Sequence, residues 1–224
     1  MFQKNIIPFL TELHNNNNRE WFTQNKPWYQ QAHSDFKLFI DDLIPHMAQT
    51  EPMLSGLMAK DCVYRIYRDV RFSKDKTPYK THFGANIVVG GRKSNKAGFY
   101  VHIEPTGTSI AGGGIYMPQP AVLKALRTEF YHVPEELIEI LEAPEFKKYF
   151  KSLWADNMLK LAPKGFPKDF EHIGLLKYKS YVAVGELSKN DLTHNNLLVK
   201  IIEMHKALYP LNRLINTIID DANL

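Results

Sequence analysis

His82-Phe83-Gly84-Ala85-Asn86-Ile87-Val88-Val89 and Gly98-Phe99-Tyr100-Val101-His102-Ile103-Glu104, with the polar, glycine-led Gly90-Gly91-Arg92-Lys93-Ser94-Asn95-Lys96 between them, decide the fold class of this chain. Apolar residues recur at every second position in both runs, which is the pattern of strands buried on one side. Phe83, Ala85, Ile87 and Val89 share one face, and Phe99, Val101 and Ile103 share the matching face of the next strand. The opposite faces carry His82, Gly84 and Asn86 beside Tyr100, His102 and Glu104. A hairpin sets the two strands side by side, so these polar groups converge on one side of an antiparallel sheet.

Working outward, Cys62 to Arg68 alternates and is rich in β-branched and aromatic residues, which predicts another strand just before a charged segment. Downstream, Pro105 to Gly107 turns the chain into a fourth strand at Thr108 to Ala111. Gly112-Gly113-Gly114 follows, where glycine permits positive φ or a close approach to the backbone. Tyr181 to Leu187 alternates as a further strand, and Leu159 to Ala162 reads as extended.

The rest has helical spacing. Ile6 to Leu13 runs out in four asparagines, of which Asn18 caps a short helix carrying Trp21 and Phe22. Pro27 suits the first turn of a long amphipathic helix from Trp28 to Met47. Helices are predicted over Pro120 to Tyr131, Pro134 to Leu141 and Glu145 to Trp154. A last helix starts after Thr193 and is interrupted near Pro210. The expected architecture is α+β, an antiparallel sheet flanked by N-terminal and C-terminal helices. No break in composition and no repeat divides the chain, so residues 1–224 read as a single domain. The wide apolar faces of the Trp28 helix and the last helix read as core rather than as a dimer surface.

At 224 residues, with 44% hydrophobic and 23% charged content, the chain has enough material for a full core. Extensive disorder is thereby excluded. Cys62 is the one cysteine, which excludes an internal disulfide, and its apolar neighbours fit burial in a reducing compartment. The sequence starts without the pattern of a secretory leader and nowhere approaches the roughly 18 consecutive apolar residues of a membrane span. A cytoplasmic protein without membrane attachment is expected. The net charge of +4 is too mild to imply a polyanionic partner by itself.

Charge is instead concentrated locally. Between Arg65 and Lys80, Arg65, Arg68, Arg71, Lys74, Lys76 and Lys80 face only Asp69 and Asp75. Guanidinium forks match phosphate and carboxylate oxygens two at a time, and lysines add point charge. This predicts a site for a small phosphate- or carboxylate-bearing ligand contacted by Arg65, Arg68, Asp69, Arg71, Lys76, Tyr79, Lys80 and Tyr100. His82, His102 and Glu104 are the expected acid/base groups beside it. The alternative is that the loop's charges pair among themselves and pin it to the surface. Neither a phosphate-binding glycine loop nor a dinucleotide fingerprint is present, and no cofactor is indicated.

Two other chemistries compete. Basic residues interleaved with Tyr64, Tyr67, Phe72 and Tyr79 suit single-stranded nucleic acid, though tyrosine and phenylalanine are also ordinary strand formers. His82, His102 and Glu104 on one sheet face have ligand types that suit a metal. The sequence lacks a His-Glu-x-x-His pattern, and a histidine on a polar sheet face is more often hydrogen-bonded, so no metal is assigned. Cys62 and Ser73 have no nucleophile context.

The run Arg65-x-x-Arg68-Asp69-x-Arg71-Phe72-x-x-Asp75-Lys76-x-x-Tyr79-Lys80 resembles the hallmark of the family catalogued as domain of unknown function 2461, best represented in bacteria. The resemblance continues at Asn18-Arg19-Glu20-Trp21-Phe22 with Asn25-Lys26, at Gly98 to Pro105, at Gly112 to Ile115, and from Lys160 through Lys164-Gly165-Phe166. It spans nearly the whole chain and brings no activity to these positions.

Overall fold

The computed structural model describes residues 2–224. Helices α1 (Ile7–Asn15), α2 (Arg19–Gln24), α3 (Lys26–Ala48) and the short α4 (Ala59–Cys62) precede the strands β1 (Phe83–Ile87), β2 (Gly98–Ile103) and β3 (Ser109–Ile115). Helices α5 (Pro120–His132), α6 (Pro134–Glu142), α7 (Pro144–Tyr149) and α8 (Ile173–Leu176) lead to strand β4 (Tyr181–Leu187) and the long α9 (His194–Asp221). The sheet is four-stranded and antiparallel, in the order β1-β2-β3-β4, and the fold class is α+β. No described helix is long and apolar enough to cross a membrane.

Two compact units account for the chain. One takes Met1–Arg92, Tyr100–Ala111 and Glu186–Glu203, the other Lys93–Phe99, Gly112–Gly185 and Met204–Leu224. In the first, α3 packs on β1. Phe83 stands at the centre of an aromatic group, with ring centroids 5.4 Å from Phe36, 6.1 Å from Phe9 and 5.6 Å from His33. Phe9, Phe36, Phe39, Leu43, Ala85, Ile87, Val101 and Ile103 are all buried, the core face expected from the alternation. Asn18 caps α2 by accepting the Trp21 N–H at 2.9 Å. Its neighbour Asn17 exchanges two hydrogen bonds with the backbone of Tyr79, at 2.9 and 3.1 Å.

In the second unit Tyr181 is fully buried against Phe130, and its hydroxyl donates to the Leu175 carbonyl at 3.0 Å. The Asn212 amide donates to the Gly98 carbonyl at 3.1 Å. The three glycines of β3 admit main chain where a side chain would stand. A Cβ on Gly112 would lie 2.1 Å from the Ala183 carbonyl oxygen, and one on Gly113 would lie 2.0 Å from that of Gly98. Gly114 adopts a positive φ of 113°.

Four expectations are corrected. Cys62 to Arg68 is not a strand: Cys62 closes α4, and only isolated antiparallel bridges form, Val63 with Ala85 and Tyr67 with Tyr79. The registers differ by two residues. Between the bonds Tyr64 N–H to Gly84 and Lys80 N–H to Ile66, one residue, Arg65, faces three, Thr81, His82 and Phe83. A bulge of this kind breaks a ladder, and Pro78 further on has no N–H to give. Pro210 does not interrupt α9. Proline removes one helical hydrogen bond, and buried Leu208, Leu211, Leu214 and Ile215 hold the helix on both sides of it. The helix read from Glu145 to Trp154 ends at Tyr149, because Phe150 turns extended and the Trp154 N–H bonds the Val182 carbonyl at 2.7 Å. Leu159 to Ala162 is irregular rather than extended; its Leu159 N–H bonds Lys177.

Candidate functional site

Alternation along β2 sets Tyr100, His102 and Glu104 on the polar face. They form a chain: the Tyr100 hydroxyl lies 3.2 Å from His102 Nδ1, and His102 Nε2 lies 3.1 Å from Glu104 Oε2. Glu104 is anchored twice more. The Thr81 hydroxyl donates to its Oε1, and its backbone N–H donates to Ser109 Oγ at 2.9 Å. The bulge at Thr81–Phe83 lets two consecutive side chains reach this face. Thr81 meets the carboxylate, while the His82 ring stacks on His102 with centroids 3.9 Å apart. Gly84 makes room for the phenol, since a Cβ there would lie 2.7 Å from the Tyr100 oxygen.

A cationic group borders the cluster. The Lys80 ammonium lies 5.3 Å from the centre of the Tyr64 ring, which meets Tyr100 edge-on at 6.3 Å. Burial and the neighbouring Arg65 lower the Lys80 pKa. Among the described residues, no carboxylate pairs with Lys80 or Arg65.

Burial pushes His82 down to about 4, helped by His102 and Lys80 and opposed by Glu104. Burial would raise the Glu104 carboxyl, but hydrogen bonds from Thr81 and His102 and the adjacent imidazoles outweigh it and hold the group below its ordinary value. Burial, with Tyr64 and Glu104 nearby, raises Tyr100 to about 12. At neutral pH the site therefore holds a neutral His82, an ionised Glu104 and a protonated phenol.

His33, in the core of the same unit, is likewise lowered to about 4, by burial and Lys37. Both histidines bind protons more readily when unfolded, near 6.5, than when folded. Stability is therefore full above pH 6.5 and falls as pH drops towards 4. Urea unfolding is expected to show a loss on the order of 2 kcal/mol for each of the two histidines between pH 7.5 and 5. His82→Gln should flatten that slope; an unchanged slope in this variant would contradict a neutral buried His82.

The other predicted ligand residues make their contacts within the charged loop and at its base. Arg68 donates to Asp75 and Thr77. Arg71 forks onto both oxygens of Asp69 at 2.7 and 2.9 Å. The Lys76 ammonium bonds the Val70 carbonyl at 2.9 Å. Tyr79 is buried, with its ring stacked on Phe22 at 3.9 Å. The thiol of Cys62 is buried and raised to about 12 by burial and Asp61, which suits a core residue and not a nucleophile.

The model of a family of conserved hypothetical proteins, DUF2461, matches residues 5–213. The chain belongs to this family. No curated protein and no solved structure matches it.

In this DUF2461 chain, the matched span contains the whole cluster. Among the described residues, His82, His102 and Glu104 are the group whose ligand atoms could hold a metal, all within 4.8 Å of one another. Two contributors, Thr81 and Ser109, were not singled out in the sequence, and a third, Tyr64, was named for a different ligand. Thr81 would point away from His82 in a regular strand, so period-two reasoning hides it. Ser109 acts across a turn. Tyr64 had a signal, in its basic and aromatic neighbours, but that signal pointed to single-stranded nucleic acid rather than to this cluster.

Proposed function

We propose that this cytoplasmic protein binds a small phosphate- or carboxylate-bearing ligand on the polar sheet face, between Lys80 and Arg65 and the His82–His102–Glu104 cluster. The observation that carries this reading is Lys80, a cation that forms no ion pair among the described residues, next to the uncharged imidazole of His82 and with Arg65 in electrostatic range. A guanidinium and an ammonium can share the charge of one anionic group. His82, unprotonated at neutral pH, can accept a proton from the ligand, and Glu104 can stabilise charge on His102, which is the division of labour in general acid–base catalysis. Arg68 and Arg71, already paired, shape the loop.

The test is thermal stability at low salt with inorganic phosphate, sugar phosphates, nucleotides, carboxylates and short oligonucleotides, because a ligand of the native state raises the melting temperature. One class of small anion should stabilise the wild type and Arg68→Ala but fail to stabilise a folded Lys80→Met. If no anion shifts the wild type, or if Lys80→Met responds equally, the reading is wrong.

A second reading has its own observation. Phe72 is 95% exposed at the loop tip with the Arg71 guanidinium 5.8 Å from its ring centre, and Lys74 and Lys76 are exposed nearby. That arrangement suits stacking on a base of single-stranded nucleic acid. Preference for oligonucleotides, with affinity falling steeply in salt and lost in Phe72→Ala, would favour it over the small-ligand site.

A further inference from the structure

We infer that His82, His102 and Glu104 together bind one divalent transition-metal ion, using His102 Nε2, a Glu104 carboxylate oxygen and a ring nitrogen of His82. The inference rests on reading this face as a ligand site and names the group at its centre. Three observations carry it.

The first is spacing. Atoms bound to one ion at about 2.1 Å stand about 3.0–3.4 Å apart along a polyhedron edge, and His102 Nε2 and Glu104 Oε2 are 3.1 Å apart. One ligand atom from each of the three residues lies within 4.8 Å of the others, so an ion would draw His82 inward by a modest side-chain rotation. The second is support from behind. Protein ligands of metals are oriented by hydrogen bonds on the side away from the ion. Here the Tyr100 hydroxyl sits at His102 Nδ1, Thr81 holds the second carboxylate oxygen, and Ser109 fixes the Glu104 backbone. Binding an ion would displace the Nε2–H bond to Glu104 and move the ring proton to Nδ1, where it donates to the Tyr100 oxygen, leaving the Nε2 lone pair for the ion. The third is His82 itself. Its ring stacks on His102, and neither nitrogen has a hydrogen-bond partner among the described residues or is sealed from solvent. A lone pair is therefore available to an ion.

Two imidazoles and a carboxylate suit zinc, iron, cobalt, nickel or manganese better than magnesium or calcium, which take oxygen ligands. Three protein ligands leave coordination positions open. Lys80 beside the cluster, with Arg65 in range of Lys80, disfavours a bare cation but favours a cation with an anion bound to it. Ion and anionic ligand should therefore bind with positive coupling. With both imidazoles engaged as ligands, a bound ion would supply a more acidic water in place of the His82 lone pair as the proton-transfer group.

The experiment is titration of chelator-treated full-length protein with Co2+, read by its visible ligand-field absorption and by calorimetry, without and then with inorganic phosphate. One ion per chain is expected, with loss of the absorption in His102→Ala and in Glu104→Gln. Thr81→Val, which removes only a supporting hydroxyl, should weaken binding about 10-fold and keeps the test valid if the ligand variants misfold. Phosphate should tighten cobalt binding and alter its spectrum. Binding that survives all three substitutions would place the ion on surface histidines and overturn the inference, as would no binding. Phosphate stabilisation of a protein that binds no cobalt would overturn the ion alone. Cobalt binding indifferent to phosphate would support the ion and count against the anionic ligand.

Discussion

Gly113→Ala is expected to destabilise the protein by at least about 3 kcal/mol, or to leave it insoluble. The added Cβ would sit 2.0 Å from the Gly98 carbonyl oxygen and 2.8 Å from Leu208 Cδ2. The leucine can rotate, but the carbonyl belongs to a neighbouring strand and also accepts from Asn212. Relief therefore requires main-chain displacement in β3 or β2 and loss of a buried hydrogen bond. Gly174→Ala is the control. It lies in α8, and a Cβ there would meet nothing within 4 Å, so the same chemical change should be neutral or stabilise by up to about 1 kcal/mol. Urea denaturation of the two variants should separate widely; near-equal midpoints would show that β3 adjusts cheaply.

Phe83→Ala is expected to cost about 3–5 kcal/mol, the range for removing a fully buried aromatic ring. Phe83 is 1% exposed and meets Phe9, Tyr29, His33 and Phe36. Its chain neighbour His82 reaches the opposite side, so the same peptide unit carries core on one face and the candidate site on the other. Phe83→Leu, which restores most of the volume, should recover much of the stability. If anion or cobalt binding persists in Phe83→Leu while stability falls, the two faces are energetically separable; loss of both together would mean that the ring positions His82.

The sequence was most legible where the period was regular. In β2 every second residue from Phe99 to Ile103 is buried, and Tyr100, His102 and Glu104 share the other face, as alternation requires. The α+β class followed from such patterns, and the family resemblance from the motif between Arg65 and Lys80. Legibility failed where tertiary contacts override local preference. Cys62 to Arg68 has strand composition, but its partner stretch carries two surplus residues, a property of the other segment that no local window contains. Arg68 and Arg71 have the chemistry of anion ligands, and whether a fork is free or spent on a nearby aspartate depends on loop geometry that composition does not encode. His82 and His102 were placed on one face correctly; that their rings stack depends on the same bulge.

That bulge has an arithmetic consequence for how this chain can vary. It adds two residues, an even number, so inward and outward positions keep their parity from Ala85 back through the bridge at Tyr79. Lengthening or trimming the stretch between Lys80 and Gly84 in pairs would leave every core side chain facing inward. A single insertion or deletion there would turn Phe83 or the residues before it inside out. Viable length changes at this point in the family should come in twos.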